Sequence, residues 1–181
     1  RSTTVWLGAT PVATLGGQQR EGEFSDRKRY LSDLAKPERV GEMSAQRALA
    51  KLGAAPMPSS GRYPVVFEAE AAGQFLQGLF LALSAQNVLQ HRSFLAGKVG
   101  QPVASPLVTI VDDGTLRRGL ESRHFDGEGV QTRRTAVVEG GVLRQYLHST
   151  ATARRMGVPP TGNGVRTYDT LPAVGPTNFY I

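Results

Sequence analysis

Glu139-Gly140-Gly141 constrains the fold of this chain more than any other segment. It separates two β-rich arms, residues 132–138 and 142–148, and glycine supplies the positive φ that a tight turn demands. These residues therefore predict a hairpin and commit their surroundings to an antiparallel sheet. On either side the apolar period changes. Ala72, Phe75, Leu76, Leu79, Phe80 and Leu83 recur at helical spacing, behind a short apolar strand expected at 63–67. A second helix is expected over 86–95, ending at Gly97, and then a β-branched strand at 107–111, stopped by the turn signal Asp112-Asp113-Gly114. Ser149 can cap a short helix that runs to Met156 and is closed by Gly157, and a Gly, Pro and Asn rich loop follows over 159–176.

Upstream, residues 4–15 form a β-rich run broken at Gly16-Gly17, and residues 21–31 return beside it. Pro37 and Glu38 start a helix after Lys36, Val40, Met43, Ala48, Leu49 and Leu52 give it an apolar stripe, and Gly53 stops it. Strand and helix patterns in this mixed order predict an α+β class, a mixed β-sheet with hairpins and packed helices. Residues 54–61 hold two prolines, two serines and no period, so they read as a linker. The expected division is 1–55, a hairpin plus helix closing an N-terminal domain region, and 56–181, a central and C-terminal domain. Arg1 falls in what reads as the middle of a strand, so the chain is expected to have lost its true beginning.

A length of 181 residues with 40% hydrophobic content suffices for one ordinary domain or two small ones. No apolar run approaches the roughly 18 to 20 residues of a membrane helix, so no membrane association is expected. The absence of cysteine excludes disulfides and thiolate metal sites and fits a cytoplasmic protein. A net charge of +6 would favour a phosphate-bearing partner through counterion release. However, the arginines are scattered in pairs such as Arg117-Arg118, Arg133-Arg134 and Arg154-Arg155, with no interleaved aromatics to stack on bases. Solvated faces explain them, and nucleic acid is not an expected partner.

Side chains with catalytic chemistry are sparse. His91, His124 and His148 never stand at the i, i+4 spacing that would put two imidazoles on one helix face. Asp112, Asp113, Asp126 and Glu128 occupy two separate segments without calcium-loop spacing, and turn formation is the simpler reason for them. There is no Gly-x-Ser-x-Gly elbow and no Gly-Lys-Ser/Thr loop, and Gly162-Asn163-Gly164 is too short to cradle a phosphate. From residue chemistry alone, a soluble α+β domain is all that follows.

Specific strings go further. They are residues 93–100 (Ser-Phe-Leu-Ala-Gly-Lys-Val-Gly), 103–106 (Val-Ala-Ser-Pro), 109–113 (Thr-Ile-Val-Asp-Asp), 125–130 (Phe-Asp-Gly-Glu-Gly-Val) with Thr132-Arg133-Arg134, 139–143, 152–157 (Thr-Ala-Arg-Arg-Met-Gly) and 161–164 (Thr-Gly-Asn-Gly). In this order they resemble the TldD/PmbA family, long labelled modulators of DNA gyrase. The first 60 residues fit that family only through their strand and helix pattern and the Gly-Arg-Tyr-Pro entry at 61–64. Family members are roughly twice as long, so the resemblance implies a fragment whose last domain is truncated.

The resemblance implies a heterodimeric TldD/TldE metallopeptidase that degrades or trims unfolded peptides. In TldD-type subunits a His-Glu-x-x-x-His helix supplies two metal ligands and the carboxylate that activates water. Here the corresponding stretch is Glu68-Ala69-Glu70-Ala71-Ala72-Gly73, so Glu68 and Gly73 replace the histidines and Ala69 replaces the base. Accordingly no catalytic or metal residue is assigned, no cofactor is expected in this chain, and zinc is expected in a TldD-like partner. The expected role is that of a non-catalytic TldE/PmbA-like subunit, inactive alone. The alternatives are a gyrase- or nucleic-acid-associated binding module and a stand-alone hydrolase with an unrecognised site.

Overall fold

The computed structural model describes residues 3–181, and Arg1, expected in mid-strand, lies outside them. The chain divides into two compact units, Arg1–Val65 and Val66–Ile181.

In the first unit, β1 (Val5–Ala9) pairs antiparallel with β4 (Phe24–Lys28), and β2 (Val12–Leu15) pairs with β3 (Gln18–Glu21) across a Gly16-Gly17 turn with positive φ at both residues. The broken β-rich run is thus one long hairpin, interrupted on both arms. Helix α1 (Pro37–Ala50) starts where Pro37 predicts, because proline's fixed φ suits the first helical turn and its missing N–H is not needed there. Its buried face is Val40, Ser44 and Ala48, four residues apart, while Leu49 of the expected stripe is exposed. The reason is close approach. A Cβ at Gly22 would collide with the Ala48 backbone nitrogen and the Ser44 carbonyl, so only small residues fit at this contact. Longer side chains close the edges: Arg47 donates to the Glu23 carbonyl and lies over the Phe24 ring, and Lys51 donates to the Glu21 carbonyl.

The second unit holds a four-stranded antiparallel sheet in the order β10 (Asn178–Tyr180), β5 (Ile110–Asp113), β6 (Arg134–Glu139), β7 (Val142–Leu143). The Gly140-Gly141 hairpin forms, with φ of 55° and 78°, but its second arm pairs only over Val142–Leu143 and not through 148 as expected. A bulge places Val137 opposite no residue of β5, so Val137 and Val138 are both buried despite being neighbours. Helix α2 (Ala69–Leu83) brings Phe80 and Leu83 onto this core, with Leu76 and Leu79 beside them, whereas Phe75 stays exposed. Helix α4 (Thr150–Met156) has a full capping box. Ser149 Oγ accepts from Thr152 N, Thr152 Oγ1 accepts from Ser149 N, and Gly157 ends the helix at a φ of 68°. Within the expected loop, β8 (Gly164–Val165) pairs with β9 (Ala173–Val174).

Three expectations are corrected. Residues 63–67 form no strand and are exposed, because nothing among the described residues pairs with their backbone. Helix α3 covers only Ala85–Leu89: His91 turns to a φ of 57°, and the Ser93 hydroxyl bonds back to the Ala82 carbonyl at 2.6 Å. Asp112 and Asp113 do not stop a strand but belong to β5, where both are buried.

Candidate functional site

The residues that the resemblance assigns to the family's metal helix open α2. Glu68 is the N-cap, with extended backbone at φ −63° and ψ 156°, and Ala69 is the first helical residue. Glu68, Ala69 and Glu70 are exposed. Gly73 lies one turn further, and a Cβ added there would meet nothing within 4 Å. Of the three motif positions, then, one offers a carboxylate just outside the helix, one a methyl group and one a hydrogen. Zinc takes at least three nitrogen, oxygen or sulfur donors from protein, and this donor set does not fit it. Glu70 has a simpler role, since a carboxylate in the first turn is favoured by the helix macrodipole.

The histidines remain apart in role. His91 and His124 are exposed, whereas His148 is only 4% exposed. Among the described residues no group of three or more His, Cys, Asp or Glu side chains is placed to hold a metal ion.

The four acidic residues instead anchor the chain internally. Asp112 Oδ2 accepts from Asn163 Nδ2 and from the Thr177 hydroxyl, each at 2.8 Å, and its Oδ1 accepts from Thr177 N at 2.7 Å. Asn163 Nδ2 also donates to the Gly175 carbonyl, while its Oδ1 accepts from the Thr161 hydroxyl at 2.7 Å, which in turn accepts from His148 N. Burial pushes the Asp112 carboxyl above its ordinary pKa, against the hydrogen bonds of Asn163 and Thr177 and the charge of Arg123. Asp113 accepts from the Thr115 amide and hydroxyl. Turn formation holds for Asp126, whose Oδ1 gathers the amides of Glu128 and Val130 while Oδ2 takes Gly164 N. Glu128 reaches Thr150 N at 2.7 Å, at the start of α4. Sequence reasoning missed Asn163 and Thr177 because their partner, Asp112, lies 51 and 65 residues away, and Thr161 because it joins the network only through Asn163 and His148.

This cluster is a scaffold centred on β5, and β5 lies within the segment that a family model matches. The model for the PmbA/TldA metallopeptidase C-terminal domain covers residues 60–181. The chain belongs to the PmbA/TldD family. It is 34% identical over 162 residues to the metalloprotease PmbA of Escherichia coli O157:H7, covering 90% of this chain and 36% of that protein. It is 37% identical over 147 residues to a metalloprotease TldD homologue of Haemophilus influenzae, covering 76% of this chain and 29% of the relative. Among solved structures, a candidate modulator of DNA gyrase from Thermotoga maritima superposes with a TM-score of 0.86 at 37% identity, covering 96% of this chain and 39% of that one. The α+β fold is therefore that of the PmbA/TldD family. The chain spans about a third of the length of these curated relatives, less than the half that the resemblance implied. No helix among the described residues is long and apolar enough to cross a membrane.

His148 yields a test of the fold around the PmbA/TldD core. Burial holds its imidazole below the ordinary value of about 6.5. With a folded pKa below the unfolded one, its contribution to stability is present above about pH 6.5 and is lost as pH falls through the folded value. His148→Gln is therefore expected to flatten the acid limb of the stability profile. Equal slopes for both proteins in urea denaturation from pH 7 to pH 5 would remove His148 as the titrating group.

Proposed function

We propose that this chain is part of a non-catalytic, TldE/PmbA-type subunit of a TldD/TldE peptidase, acting on unfolded peptides in the cytoplasm together with a TldD-type subunit that carries the zinc. Glu68, Ala69 and Gly73 at the opening of α2 are the observation on which this rests. Identity does not separate the two halves of the family, since a PmbA and a TldD homologue match almost equally. Donor chemistry favours the TldE/PmbA half. A peptidase of this type needs two imidazoles and a general base in register on one helix, and none of the three positions supplies its part. What such a subunit contributes is surface: one wall of the substrate channel and the dimer interface. An unfolded peptide can be held there as an added strand through main-chain hydrogen bonds.

The parent protein alone is expected to leave an unfolded peptide intact and to carry no stoichiometric zinc. Mixed with a His-Glu-x-x-x-His subunit from the same cell, it is expected to co-elute on size exclusion and to give cleavage that a chelator abolishes. One tightly held zinc per chain by elemental analysis, or a mixture that neither co-elutes nor exceeds the partner's own activity, would defeat this reading. The triple change Glu68→His, Ala69→Glu and Gly73→His is expected to leave the chain inactive. Space exists at Gly73, but the third ligand and the groups that orient the imidazoles do not come with the motif.

A further inference from the structure

A pocket of about 450 Å³ lies in the second unit, apart from the start of α2 and bordering the Asp112 network at His148. Its volume falls within the range of small-molecule sites. Val99, Met156 and Val158 give it apolar walls, together with Tyr146, whose hydroxyl is committed to the Leu95 carbonyl at 2.6 Å. Two cations stand at its lining. Arg133 donates one N–H to the Pro160 carbonyl, and Arg144 donates its Nε to Glu139 at 3.2 Å, so both keep guanidinium N–H groups for another acceptor. The Arg144–Glu139 pair is half exposed, and such pairs hold weakly. Gln145 spends its amide N–H on the Ala136 carbonyl and retains its own carbonyl oxygen. His148, also at the lining, has Nδ1 at 3.5 Å from Thr152 Oγ1.

We propose that this pocket binds the free carboxyl terminus of a peptide whose last side chain is apolar. Guanidinium forks match a carboxylate, apolar walls match the terminal side chain, and the Gln145 carbonyl oxygen is an acceptor for the last peptide N–H. Inorganic phosphate would leave the walls unfilled, and a fatty acid would leave Gln145 unpaired. Every residue named at the site lies in this chain, so its binding can be tested separately from the heterodimer.

Isothermal titration of the 181-residue chain with acetyl-Gly-Leu, its C-terminal amide and octanoate tests the assignment. Saturable binding of the free acid is expected, weakened at least about tenfold by amidation and by Arg144→Gln. Arg144 is an exposed residue, so this variant should melt with the parent, and Arg133→Gln provides a second cation to remove. Absence of saturable binding would overturn the proposal, and so would equal affinity for acid and amide. Octanoate binding as tightly as the peptide, or unchanged affinity in both arginine variants, would overturn it as well.

Discussion

Replacing Gly141 with valine is expected to cost about 3 kcal/mol or more, whereas the same change at Gly140 is expected to cost about 1 to 2 kcal/mol. Both glycines have positive φ, so each valine suffers the left-handed penalty of a β-branched residue. Only Gly141 adds a collision. A Cβ there would lie 2.5 Å from the Ala104 carbonyl oxygen and 2.7 Å from that of Ser105, while at Gly140 the nearest atom is the Pro106 carbonyl oxygen at 3.9 Å. The crowding follows from the loop that packs on this turn. Val103 and Ala104 donate their amides to the Gly141 carbonyl, and Gly141 donates its own to the Val108 carbonyl at 2.8 Å. Relief of the clash would break these bonds. Urea midpoints that shift equally for the two variants would show that the hairpin is not held this way.

Asn163→Ala is expected to destabilise the chain by about 3 kcal/mol, the cost of leaving buried polar partners unsatisfied. Asn163 has no solvent exposure and ties Asp112 on β5 to the Gly175 carbonyl and the Thr161 hydroxyl. Its loss strips a donor from a carboxylate that is itself 1% exposed. Asn163→Asp is the sharper variant, because it sets a second carboxylate against Asp112 and raises the folded pKa of the pair. A raised folded pKa means stability present in acid and lost as pH rises, so the deficit of this variant should shrink as pH is lowered. Thermal melts showing a deficit independent of pH would mean that the two carboxylates do not interact.

Glu68, Ala69 and Gly73 sit at a helix start that the core does not depend on: Phe80 and Leu83, which anchor α2, lie about two to four turns further along. Substitution at these positions is therefore compatible with retention of the fold.

The sequence by itself determined the features whose causes are local. Gly140-Gly141 between β-rich arms determined a hairpin, Ser149 and Gly157 the two ends of α4, and Pro37 the start of α1, because each works through the conformational limits or hydrogen bonds of its immediate neighbours. Ordered strings over the second unit determined the family. Tertiary structure alone decided whatever needed a distant partner. Residues 63–67 have strand propensity but no strand beside them, and a β-strand is completed only by the hydrogen bonds of another. Asp112 and Asp113 are turn residues by type, yet they lie inside β5, because Asn163 and Thr177, 51 and 65 residues away, supply the hydrogen bonds that allow a carboxylate to be buried at Asp112. The pocket at His148, with arginines from β6's entry and β7's exit, likewise has no signature along the chain, since proximity in space and not spacing in sequence creates it.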